Sequence, residues 1–171
     1  MTWVAPDIER RSEPYVADER TMLQGWLDWH RDTLLWKCAG LTGEQLCAQP
    51  VAPSTLSLLG LVRHMAAVER SWFHRAAGVA YESLFYTDDN PDGDFDDGTA
   101  ASAEADFATF RDECAKADAL AADLSLDHTF DTTHHRTINV RWVYTHMIEE
   151  YARHNGHADL LREALDGTTG D

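Results

Sequence analysis

Apolar residues recur every three or four positions in four separate stretches of this chain, and that spacing restricts its fold more than any other feature. Such a period puts the residues on one helical face, where burial against another helix is the stable outcome. The first stretch covers residues 18–39, with Met22, Leu23, Trp26, Leu27, His30, Leu34 and Cys38 on one face and Gly40 as a fitting stop. The second takes Ser57 as N-cap and continues to about Ala77 through Leu58, Leu61, Val62, Met65, Val68, Trp72 and Phe73. Residues 102–124 carry Phe107, Phe110, Cys114, Ala117, Ala121 and Leu124 at the same spacing, and the fourth helix runs from Asn139 as N-cap to about Leu165, before Gly167. Four helices of about 30 Å each predict an all-α four-helix bundle. Thr42-Gly43-Glu44-Gln45 has capping-box spacing, and the acidic residues 88–98 read as an exposed connection without regular structure. Residues 1–17, with Trp3, Pro6, Pro14 and Tyr15, are expected to lie across the bundle.

The fourth stripe is broken in an informative way. Positions 143, 147, 150, 154, 158 and 161 form an unbroken series of threes and fours, yet 150 and 154 are Glu150 and His154. A buried, unpaired carboxylate costs several kcal/mol, so Glu150 calls for a compensating charge, and a divalent metal supplies one. Residues four apart lie about 6 Å from each other along the axis, so both side chains can reach one ion. His64 interrupts the second stripe in the same way and completes a His2Glu set, which leaves positions open for water or substrate as catalytic sites do. Zinc is preferred; nickel, iron and manganese also accept such ligands. The competing reading is a Glu150–His154 ion pair with His64 as a core histidine. His146 and His157 lie close enough on the helix to be ligands as well, and His157 is also a candidate to orient a ligand or handle a proton. Glu149, four residues before Arg153, reads as a surface pair.

Other motifs carry less. Asp88-x-Asn90-x-Asp92-Gly93 imitates the start of a calcium loop, but Thr99 stands where a bidentate glutamate is needed. His134 and His135 read as solvated loop residues, and Cys38, Cys47 and Cys114 as buried free thiols without C-x-x-C spacing. Lys and Arg number 14 against 30 Asp and Glu, a net charge of −16 that repels nucleic acid and anionic membrane. No apolar run approaches the ~20 residues of a membrane span, and the charged amino terminus lacks a secretory pattern, so a cytoplasmic protein is expected.

Two segments, SLLGLVRHMAAVERSWF at residues 57–73 and HMIEEYARHNGHADLLRE at residues 146–163, resemble the DinB-like metalloenzyme superfamily, most closely its mini-circle protein branch. The resemblance covers residues 18–167 as one domain, with 168–171 as a tail. It implies a four-helix bundle whose metal is held by one residue of the second helix and an i, i+4 pair of the last, here His64, Glu150 and His154. Many relatives carry histidine at all three places; Glu150 is instead similar to the metal-binding domain of mycothiol-dependent maleylpyruvate isomerases. The resemblance implies a transferase that activates a low-molecular-weight thiol, such as mycothiol or bacillithiol, with a small molecule as substrate. A metal-dependent hydrolase would use the same ligands. A non-catalytic binding module, including a homodimer built on aromatic residues such as Trp29 or Trp36, is the third reading.

Overall fold

A computed structural model describes residues 2–133 and 136–170. Its helices in chain order are α1 (Glu19–Cys38), α2 (Gly43–Leu46), α3 (Leu58–Ala76), α4 (Gly93–Asp96), α5 (Ala103–Ala121) and α6 (Val140–Asp166), with a hairpin of β1 (Thr129–Asp131) and β2 (Thr137–Asn139) before α6. The four long helices form the all-α bundle, in which α1 packs on α6, α3 packs on α5, and α3 also meets α6.

Local chemistry sets the helix ends. Asp18, Ser57 and Asn139 accept hydrogen bonds from the backbone N–H groups of Thr21, Gly60 and Trp142, and Thr42 and Gln45 close a full capping box on α2. Gly40, just past α1, and Gly167, at the end of α6, have φ of +77° and +78°, a conformation that costs other residues strain. Between these caps the stripes meet in a single core, where Leu34, Leu61, Met65, Phe110, Val143, Met147 and Tyr151 are each at most 1% exposed.

Periodicity did not reveal the polar centre of that core. Arg31 and Glu69 are buried, and the Arg31 guanidinium donates to both Glu69 oxygens at 2.7 and 2.8 Å. Tyr151 donates its hydroxyl to Glu69 at 2.8 Å, and Asp118 of α5 accepts from Arg31 at 2.8 Å. All four long helices therefore share one ionic network. Burial pushes the Tyr151 hydroxyl and the Cys114 thiol beside it well up, which keeps both neutral. All three cysteines are free; Cys38 is buried, with its thiol pushed up to about 12, and Cys47 and Cys114 are partly covered.

The structure corrects several expectations. The acidic connection is not fully exposed or irregular: it contains α4, and Gly93 and Asp94 are buried. The loop before α6 forms the β1–β2 hairpin, whose register pairs Phe130 with Ile138 and turns both toward the core. His128 is exposed, while His134 and His135 lie outside the described residues. Trp29 and Trp36, proposed as exposed interface residues, are half-buried, and the Arg10 guanidinium lies 4.3 Å from the Trp36 ring centre. The amino-terminal segment takes this path because Ala5 exchanges backbone hydrogen bonds with Gly40 and Leu41, and Trp3 packs edge-on to Phe107.

Replacing Arg31 by methionine leaves Glu69 buried without its cation. The variant is expected to lose about 3–5 kcal/mol in urea unfolding. A loss below about 1 kcal/mol, the scale of exposed ion pairs, would show that the network does not hold the helices.

Candidate metal centre

His64 stands in the middle of α3, and Glu150 and His154 are one turn apart on α6, where the stripe periodicity turns all three toward the same gap. Each offers one ligand atom, and these three atoms lie within 4.8 Å of one another. The His64 and His154 rings meet edge to face, with centres 4.8 Å apart. Glu150 Oε2 lies 3.6 Å from His154 Nε2, and its Oε1 lies 3.6 Å from both His146 Nε2 and Arg153 Nη1. These separations are too long for hydrogen bonds, so the carboxylate has attracted basic groups without being satisfied by any of them. The donor set of two imidazoles and one carboxylate suits a zinc-type ion, and the spacing allows all three to reach it.

Hydrogen bonds orient both imidazoles. His64 Nδ1 donates to Asp94 Oδ2 at 2.8 Å, which leaves the Nε2 lone pair free. A carboxylate behind a ligand histidine fixes its tautomer and raises its basicity. Asp94 is placed by α3 itself: Arg63, the neighbour of His64, donates to the carbonyls of Gly93 and Asp94 and pairs with Asp106. A Cβ on Gly60 would come within 2.8 Å of the Phe95 carbonyl, so glycine there admits the loop. Phe95 then stacks on the His64 ring at 4.3 Å.

On the other side, His157 Nδ1 lies 3.3 Å from His154 Nδ1, so one imidazole donates to the other. Burial lowers the His154 pKa to about 4, aided by repulsion from His64, His157 and Arg153 and opposed by Asp94. A neutral imidazole at pH 7 is the form that binds metal.

His146, 3.6 Å from Glu150, packs on its other side against indoles, stacked on Trp142 at 4.7 Å and edge-on to Trp72 at 5.0 Å. It shares a second cluster with Glu149 and Glu150, but Glu149 is exposed and pairs with Arg153, as its spacing suggests. The residues of the calcium-like stretch form no such cluster among the described residues. Sequence reasoning missed Asp94, whose only signal was an aromatic neighbour, Phe95, inside an acidic run.

One cavity opens on His64 and another lies beside His157. One, of about 280 Å³, is lined by His64, Val68, Ser71, Tyr86 and Phe95. The other, of about 220 Å³ and largely apolar, lies against His157, Leu56, Leu160 and Leu161.

A four-helix bundle with this connectivity of motifs belongs to the DinB-like class of proteins. Within that class, residues 22–167 match the family described as MST: Mycothiol-S-transferase, and the chain belongs to that family. No curated protein matches it. Among the described residues no helix is long and apolar enough to cross a membrane.

Two outcomes follow. Asp94→Asn is expected to weaken zinc binding about 10- to 100-fold, measured by competition with a chromophoric chelator, while leaving the helical circular dichroism intact. Unchanged affinity would remove Asp94 from the site. Because the folded His154 pKa lies below its ordinary value of 6.5, the unfolded chain binds more protons between about pH 4 and 6.5, and stability falls as pH drops through that window. Between pH 7 and 4.5 the metal-free protein should lose on the order of 2 kcal/mol more than its His154→Gln variant in urea unfolding. Equal losses would show that His154 is not held neutral.

Proposed function

We propose that the protein is a metal-dependent transferase that joins mycothiol, through its thiol sulfur, to an electrophilic small molecule. His64, Glu150 and His154 hold a divalent ion, zinc in preference to nickel. The observation that carries this reading is the convergence of three ligand atoms within 4.8 Å in a chain of the mycothiol S-transferase family. A bound divalent cation supplies the positive charge that keeps a thiol in its thiolate form at neutral pH.

The chain's own residues do the rest. Asp94 holds the proton of His64 on Nδ1, and the contact with His157 orients the imidazole of His154. The cavity bearing Ser71 and Tyr86 offers hydroxyls to a polar thiol cosubstrate. The apolar cleft beside His157 is open to the electrophile. In the reaction, the thiol releases its proton to solvent and its sulfur bonds to the electrophilic carbon. The leaving group departs with the electron pair of the broken bond. Residues 18–167 carry the activity as a single domain, with 1–17 folded against it. Three free cysteines and a thiol cosubstrate suit a reducing, cytoplasmic location.

Metal analysis of the untagged protein beside His154→Ala tests this reading, together with assays of thiol consumption against a haloaromatic electrophile. Near-stoichiometric metal that disappears in the variant, along with conjugate formation, is the expected result. If the protein takes up no metal on reconstitution, the centre does not exist. If it takes up metal and turns over a substrate without thiol, the activity is hydrolytic.

A further inference from the structure

Beyond the metal centre, a recess of about 220 Å³ lies between the carboxy-terminal part of α3 and the hairpin, lined by Trp72, Arg75, Thr132, Arg136, Ile138 and Trp142. We propose that it binds a planar aromatic carboxylate, with the ring against the two indoles and the carboxylate on the arginines. The recess places two guanidinium groups side by side in a chain whose net charge is −16. Seven other arginines form ion pairs with carboxylates. Arg75 instead donates to the Tyr81 hydroxyl at 2.8 Å and lies over the Trp72 ring at 5.3 Å. Among the described residues, no carboxylate pairs with Arg136 either.

The hairpin register keeps acid out of the recess. Asp131 pairs with Thr137 on the face opposite Ile138, and its carboxylate accepts from the Thr137 hydroxyl. The walls are aromatic: the Trp72 and Trp142 rings lie 5.2 Å apart, and Trp142 is 42% exposed. Guanidinium groups against indoles recognise a flat anion by charge and by stacking together.

Both indoles also touch His146, whose Nε2 lies 3.6 Å from Glu150. From Trp142 to Glu150 is eight residues of helix, about 12 Å along its axis. An acceptor anchored by its carboxylate can therefore extend past His146 to the metal centre. This use of the recess rests on the transferase reading; the binding itself does not.

Calorimetric titration of the chelator-treated protein with 2-naphthoate, and separately with 2-naphthylmethanol, tests the site without metal or turnover. We expect one naphthoate per chain, bound at least tenfold more tightly than the alcohol. Arg136→Gln, an exposed position whose loss spares the core, should bring the two ligands to within about twofold, and Trp142→Leu should weaken both. The His154→Ala variant should bind naphthoate as the parent does, so a failed metal centre leaves this result standing. Equal binding of acid and alcohol, no binding, or naphthoate binding that survives both recess substitutions would overturn the proposal.

Discussion

The buried pair of Arg31 and Glu69 is the point at which the four long helices are tied together, and the position of the candidate metal centre follows from it. Apolar stripes alone let helices slide or rotate by a fraction of a turn at little cost, because hydrophobic burial is not directional. A bidentate guanidinium–carboxylate pair does not. With Tyr151 donating to Glu69, α6 is fixed against α3 at one height, and residue 150 is its direct neighbour in sequence. Glu69 lies five residues from His64, about 8 Å along α3. The network thus sets the separation between the element that carries His64 and the element that carries Glu150 and His154. It does so from the side of α6 turned inward, while the ligand pair faces the gap between α3 and the loop.

The same α3 segment organises the acidic loop. Asp88, Asp89, Asp92, Asp96 and Asp97 stay exposed, where water screens their repulsion. Asp94 is the one aspartate of the run that enters the protein, and it does so against His64 and next to Arg63. Arg63 supplies positive charge and several donors in one side chain, satisfying two carbonyls of the loop and the buried Asp106. Adjacent residues of a single helix turn therefore hold the loop and use it.

The stripes of all four long helices were legible in the sequence, and so were the Ser57 and Asn139 caps, because period and capping chemistry are local properties. Glu150 and His154 stood out for the same reason: their spacing puts them in line with an otherwise apolar series, and the structure buries His154 and partly covers Glu150. Arg31 and Glu69 were hidden, since a charge at the edge of a stripe resembles a surface residue until its partner, 38 residues away, is known. Asp94 was hidden more deeply, being one of several aspartates in a run whose average character is that of an exposed loop. The hairpin escaped notice because three-residue strands carry too little alternation to separate them from a loop.

In the proposed transferase, a thiol and an acceptor must both reach one centre, and the bundle carries two cavities of different character, one at His64 and one beside His157. On the α3 side the wall offers hydroxyls and the His64 ring, partly covered by Phe95. On the α6 side, Leu160, 59% exposed, and Leu161 extend an apolar surface to His157. A polar thiol and an apolar acceptor would each lose least by entering on the side that matches their own hydration. The candidate ligand set is two imidazoles and one carboxylate drawn from two helices, the number of protein ligands that catalytic rather than structural sites use. Closing the site with a fourth ligand would have made it structural. His146, a further imidazole on the same helix, instead packs against Trp72 and Trp142.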